Sequence, residues 1–178
     1  MYSIQRETLS PDQPIRYTVT DDAGEGLYIV ERTNELLDLN QQRARILDRA
    51  GHPVAQLIPP AERNFWRATS LYQLTMAGEE QAHFTIEQTY SLIDRILLRL
   101  PHYKLRGHGA RFNARGSRYS EHFYELFGAK DKFLGRIVRP SHGPTYLIEG
   151  EPSPLMQMPL LLSALTIVVD LQMADSDG

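Results

Sequence analysis

Through most of the chain, apolar and polar residues alternate in short runs separated by turns that end in glycine. Tyr17-Thr-Val-Thr20 leads through Asp21-Asp-Ala-Gly24 to Leu27-Tyr-Ile-Val30, and Ala44-Arg-Ile-Leu47 leads through Asp48-Arg-Ala-Gly51 to Val54-Ala-Gln-Leu-Ile58. Tyr72-Gln-Leu-Thr75 follows the same plan, with Met76-Ala-Gly78 as its turn and Gln81-Ala-His-Phe-Thr-Ile86 returning. Period-two alternation bounded by Asp and Gly predicts β-hairpins, because Gly accepts positive φ and Asp bonds its own neighbouring backbone. Gly24, Gly51 and Gly78 lie 27 residues apart, a weak internal repeat of hairpin length.

A fourth hairpin is predicted at Phe123-Tyr-Glu-Leu-Phe127 and Phe133-Leu-Gly-Arg-Ile-Val138, and another strand at Thr145-Tyr-Leu-Ile-Glu149. Short strands around Gly107 and Gly109 span Tyr103 to Leu105 and Ala110 to Asn113. Closely spaced strands of this kind predict an antiparallel sheet, sandwich or barrel. One stretch is ambiguous. Ile86, Tyr90, Ile93, Leu97 and Leu100 step by 4, 3, 4 and 3, as one helical face does. Pro101 would end such a helix, but Ile96, Leu98 and Leu100 also alternate like a strand, so 90–99 stays open between the two.

The pattern changes near the C-terminus, where only Ser163 and Thr166 interrupt an aliphatic run from Leu160 to Val169. Proline suits the first turn of a helix, so a helix is predicted from Pro159 to about Met173. Those 15 residues reach roughly 22 Å at ~1.5 Å per residue, short of the ~30 Å of a bilayer core. Starting at Leu155 gives 19 residues but encloses Gln157 and a proline. Asp170 is a further obstacle to spanning a membrane. No Lys or Arg follows Arg139, so the basic anchors of a spanning helix are missing. A helix apolar on all sides that does not span must be surrounded by protein. An antiparallel sheet wrapped around one central helix meets that requirement.

The 178 residues suit one domain, or at most two small ones, and 42% hydrophobic with 23% charged is the range of a soluble globular chain. The start, Met1 to Pro14, shows no basic flank followed by an apolar run, so no secretory leader is expected. Cysteine is absent, which excludes disulfides, thiolate metal sites and cysteine nucleophiles and fits a cytoplasmic protein. The net charge of −3 conceals an asymmetry: eleven Lys/Arg against three acids between Arg95 and His142 give +8 there and −11 elsewhere. This predicts a surface that favours anions, unless strands adjacent in space supply the missing acids.

The order of these segments resembles the LURP-one-related proteins, which share the tubby C-terminal-like superfamily with phospholipid scramblases. The resemblance rests on the Asp21-Asp-Ala-Gly24 and Asp48-Arg-Ala-Gly51 turns, Leu134-Gly-Arg-Ile137, Tyr146-Leu-Ile-Glu149 and Ile167-Val-Val-Asp170. It covers about Arg16 to Gln172 and implies a single domain. The implied fold is mainly β, a closed antiparallel barrel of about twelve strands around the hydrophobic C-terminal helix. A scramblase's proline-rich arm, cysteine cluster and calcium-linked acidic segment have no counterpart here, so lipid translocation does not carry over. Tubby proteins bind phosphoinositide head groups through basic residues outside the barrel, and those positions do not align residue by residue with this chain. Arg136 and Arg139 fall in a matched motif, but that motif is structural.

No catalytic pattern stands out. The six histidines (52, 83, 102, 108, 122 and 142) have no spacing typical of a metal site, and no metal or cofactor is expected. Arg115-Gly-Ser-Arg-Tyr119 lacks the second glycine of a nucleophile elbow. Gly107-His-Gly-Ala-Arg-Phe112 lacks the Lys-Ser/Thr ending of a phosphate loop. The expectation is a non-enzymatic binding module, cytoplasmic or peripheral at a membrane. Its basic surface would comprise Lys104, Arg106, Arg111, Arg115, Arg118, Lys130, Lys132 and Arg136 and would receive anionic lipid head groups or another polyanion. Basic and aromatic residues interleave from Tyr103 to Tyr119, which also suits nucleic acid, ranked below lipid on superfamily grounds alone. The alternative is a scaffold or protein-docking barrel with the basic segment incidental. Scramblase-like activity and an enzyme rank below both.

Overall fold

The structure, a computed structural model, describes residues 1–7, 15–32, 43–60, 69–89, 100–116, 123–140 and 143–174. Twelve strands are present: β1 (Tyr2–Glu7), β2 (Arg16–Asp21), β3 (Gly26–Arg32), β4 (Ala44–Leu47), β5 (Pro53–Ile58), β6 (Thr69–Met76), β7 (Ala82–Thr89), β8 (His102–Gly107), β9 (Ala110–Gly116), β10 (Phe123–Phe127), β11 (Phe133–Val138) and β12 (Thr145–Gly150). The helix α1 (Pro159–Ala174) follows. Each strand pairs antiparallel with its sequence neighbours, and β1 pairs with β12 to close a barrel. This is the closed antiparallel barrel around a C-terminal helix expected from the sequence.

β1 has no counterpart among the strands predicted from sequence. Only Ile4 of its six residues is fully buried, so its alternation is faint, yet the barrel cannot close without it. The ambiguous stretch 90–99 lies outside the described residues.

Inward residues follow the period of two: Val19, Val30, Ile46, Leu57, Leu74, Ile86, Leu105, Leu126, Ile137 and Ile148 all enter one core. Arg45, Gln56, Gln73, Glu87 and Lys104 occupy the alternate, outward positions. This polar-out, apolar-in arrangement is the reverse of a membrane-spanning barrel, whose apolar band faces lipid. Residues 161–170 of α1 are buried without a break, as a helix apolar all round requires. At about 1.5–3 kcal/mol for each buried large aliphatic side chain, this helix is a principal source of core energy. Its two hydroxyls bond back to their own helix, Ser163 Oγ to the Pro159 carbonyl at 2.6 Å and Thr166 Oγ1 to that of Leu162 at 2.8 Å. Among the described residues no helix is long and apolar enough to cross a membrane.

The two ends of the barrel differ. At one end the connections are short, and Gly24, Gly51 and Gly78 take the positive φ that their spacing predicts (79°, 85° and 83°). At the other end, where β1 finishes and β2 begins, the C-terminal part of α1 meets the wall.

Candidate functional site

The outward positions of β8, β9 and β11 bring most of the expected basic residues to one side of the barrel. Lys104 and Arg106 project from β8, Arg111 and Arg115 from β9, and Arg136 from β11, while Lys130 and Lys132 stand in the turn before β11. Arg118 lies outside the described residues. In the sheet register Arg106 faces Arg111 across the β8–β9 pair, a like-charge juxtaposition that an anion would relieve.

Acids from neighbouring strands and from the turn before β11 thin this cluster. Arg106 pairs with Glu87 of β7 at 3.2 Å, and Arg115 with Asp131 at 2.5 Å. Arg136 directs Nε and Nη2 to Glu149 Oε2 at 2.9 and 2.8 Å. Glu125 also stands in register between Arg115 and Arg136, so the row Arg115, Glu125, Arg136, Glu149 alternates in charge. Among the described residues Lys104, Arg111, Lys130 and Lys132 make no ion pair. The face that stays open to an anion is therefore these four, with Arg106 at its margin.

One exposed apolar side chain, Phe133, directly follows Lys132. In the β10–β11 register Leu126 faces Gly135 and Phe127 faces Phe133, so Leu134 is an extra, bulged residue. The bulge turns Phe133 outward, where it is 48% exposed, with its ring edge-on to Phe127 at 6.1 Å. The Arg115 guanidinium lies 4.8 Å from the centre of the Phe127 ring, within cation–π range.

A second polar centre lies inside the barrel. The Asp170 carboxylate of α1 is buried, accepting hydrogen bonds from Tyr17 Oη at 2.8 Å, Tyr146 Oη at 2.7 Å and Arg6 Nη1 at 3.2 Å. Burial, and then the Asp170 charge, hold the Tyr17 and Tyr146 hydroxyls well above the usual tyrosine range. Tyr17, Tyr146, Tyr124, Tyr103 and Tyr72 are all inward and buried, on β2, β12, β10, β8 and β6, every second strand around the ring. Burial and the neighbouring Tyr124 raise the Tyr103 hydroxyl in the same way. This centre was not among the expected site residues. Asp170 is conspicuous as an acid within an apolar run, but its partners come from strands remote in sequence. The charge is fully bonded to protein and braced by the helix, an arrangement suited to locking the fold.

The fold has a counterpart among solved structures. The X-ray structure of the protein AT5G01750 from Arabidopsis thaliana superposes with a TM-score of 0.54 over 95% of this chain and 92% of that one, at 17% identity. At that identity the likeness establishes a shared fold and nothing finer. No protein-family model matches the sequence, and no curated protein does.

Proposed function

We propose that the chain is a non-enzymatic binding module of the LURP-one-related, tubby-like type, which docks reversibly on anionic lipid head groups at a membrane surface. The observation that carries this reading is that Lys104, Arg111, Lys130 and Lys132, on β8, β9 and the turn before β11, make no ion pair among the described residues, with the exposed Phe133 next to Lys132. Cations near an anionic surface contribute roughly 1 kcal/mol each, and a neighbouring aromatic side chain adds interfacial burial. The family assignment is supported by Tyr146 and Asp170, which head and close two of the resembling motifs and are bonded to each other. The barrel is a scaffold on this reading, since α1 occupies its interior, and the protein is cytoplasmic and peripheral.

Sedimentation with phosphatidylglycerol or phosphoinositide vesicles tests the proposal. Binding at low salt that weakens steeply as salt rises is the expected outcome. An absence of binding at low salt overturns it.

A second reading, docking of a protein partner, is favoured by the alternating row Arg115, Glu125, Arg136 and Glu149. Alternating charge suits a partner with ordered, complementary charges better than a uniformly anionic surface. A stoichiometric protein complex that survives charge reversal at Lys104, Arg111, Lys130 and Lys132 but not at Glu125 would establish it.

A further inference from the structure

Four hairpins at the short-turn end share one construction: the returning strand carries one extra residue just after the turn. Leu27, Val54, His83 and Leu134 are the residues skipped by the register of β2–β3, β4–β5, β6–β7 and β10–β11. Leu27, Val54 and Leu134 belong to the core or pack against it. The β6–β7 hairpin places an imidazole where the other three place an aliphatic side chain, and a bulge re-aims the residue it carries.

His83 is aimed at the neighbouring hairpin. β8 and β9 join through the two residues His108 and Gly109, with φ of 49° and 74°, as a mirror-image turn requires. His, like Asn and Asp, is among the non-glycine residues that tolerate the positive φ of the first position, so His108 is accommodated there. Gly107 makes the approach possible, since a Cβ at this position would run into the Phe84 ring and the His83 carbonyl. The result is an Nε2···Nε2 distance of 2.5 Å between His83 and His108, with Phe84 edge-on to both rings. On the far side of His83, Glu79 Oε2 lies 3.5 Å from Nδ1. That carboxylate flanks the ring nitrogen that points away from His108.

We infer that His83 and His108 form a binding site for a late divalent transition metal ion, copper(II), nickel(II) or zinc(II), clipping the β6–β7 hairpin to the β8–β9 turn. In the metal-free protein one Nε2–H donates to the other ring. A tetrahedral ion with metal–nitrogen distances of about 2.0–2.1 Å needs the two nitrogens roughly 3.3 Å apart. Rotation of these two surface side chains provides the difference. Among the described residues no third His, Cys, Asp or Glu completes the set. The remaining coordination positions therefore belong to water, and copper(II) binds most tightly of the three.

The test uses tag-free full-length protein. Copper(II) added to one equivalent is followed by electron paramagnetic resonance, and zinc(II) binding by calorimetry. His108→Asn keeps a residue that tolerates the turn's positive φ, and His83→Gln keeps side-chain bulk. The expected result is one equivalent bound, two coordinated imidazole nitrogens in the copper spectrum, and affinity at least tenfold weaker in either variant. His52→Gln, at another hairpin tip, leaves binding unchanged. Circular dichroism and melting temperature confirm that each variant is folded. Should a variant not fold, the nitrogen count in the wild-type spectrum decides. No binding above that of the His108→Asn protein, or a spectrum with a single nitrogen, overturns the inference.

Discussion

Tyr146 on β12 and Asp170 on α1, 24 residues apart in sequence, meet inside the barrel with the phenol donating to the carboxylate at 2.7 Å. Tyr17 and Arg6 reach the same carboxylate from β2 and β1. Three adjacent strands, β2, β1 and β12, including the pair that closes the barrel, are thereby tied to the helix that fills it. Replacing Asp170 by Ala leaves an arginine and two phenols facing an apolar interior. We expect a loss of about 3–5 kcal/mol in chemical denaturation, the usual cost of breaking a buried ion pair from one side. Tyr146→Phe removes one donor and should cost about 1–3 kcal/mol. In the Asp170→Ala background it should cost far less, because its acceptor is already gone.

Alkaline pH should weaken the fold for a related reason. Tyr17, Tyr103 and Tyr146 have raised pKa values in the folded protein, first through burial. Such groups resist ionisation only while folded. Their contribution is fully present below pH ~10, where unfolded tyrosines are still neutral, and is lost as pH climbs towards the folded values. The denaturation midpoint should fall between pH 9 and pH 11, and the fall should be smaller in Tyr17→Phe measured against its own pH 9 value. A midpoint constant to pH 11 would contradict the assignment.

The helix itself can be probed at its middle. Leu161 and Leu165 are buried on α1. Leu165→Asp places an unpaired charge in the core and should yield no soluble folded protein, whereas Leu165→Met, similar in volume, should cost under about 1.5 kcal/mol. Soluble expression and near-ultraviolet dichroism distinguish the outcomes. A folded, soluble Leu165→Asp would mean that α1 does not occupy the core.

Phe133 offers a test separate from charge. It is half exposed and next to the Leu134 bulge, so Phe133→Ser should change stability by well under 1 kcal/mol. If Phe133 enters the lipid interface, the same change weakens vesicle binding several-fold while leaving its salt dependence intact.

Much of this architecture is written in local patterns. Alternation marks strands such as Ala44–Leu47, and the short apolar run that Asp170 interrupts argues for an interior helix. Features that depend on a partner distant in sequence are hidden. Tyr2–Glu7 looks polar because only Ile4 is fully buried, and its role as the closing strand comes from pairing with β12. The bulges at His83 and Leu134 exist only relative to the opposite strand. Charge was half legible. The outward placement of Lys104 to Arg136 follows from alternation, but the acids that neutralise Arg106, Arg115 and Arg136 come from Glu87, Asp131 and Glu149.

That division of the basic residues leads to the most direct test of the proposed function. The charge-reversed protein Lys104→Glu, Arg111→Glu, Lys130→Glu and Lys132→Glu should be compared with Arg136→Glu and wild type by co-sedimentation with phosphatidylglycerol vesicles at low salt. The four cations without ion pairs among the described residues carry the binding on this account, so the fourfold variant should lose at least a hundredfold in affinity at roughly 1 kcal/mol per cation. Arg136, held by Glu149, should change it little. Equal binding by wild type and the fourfold variant would contradict the account.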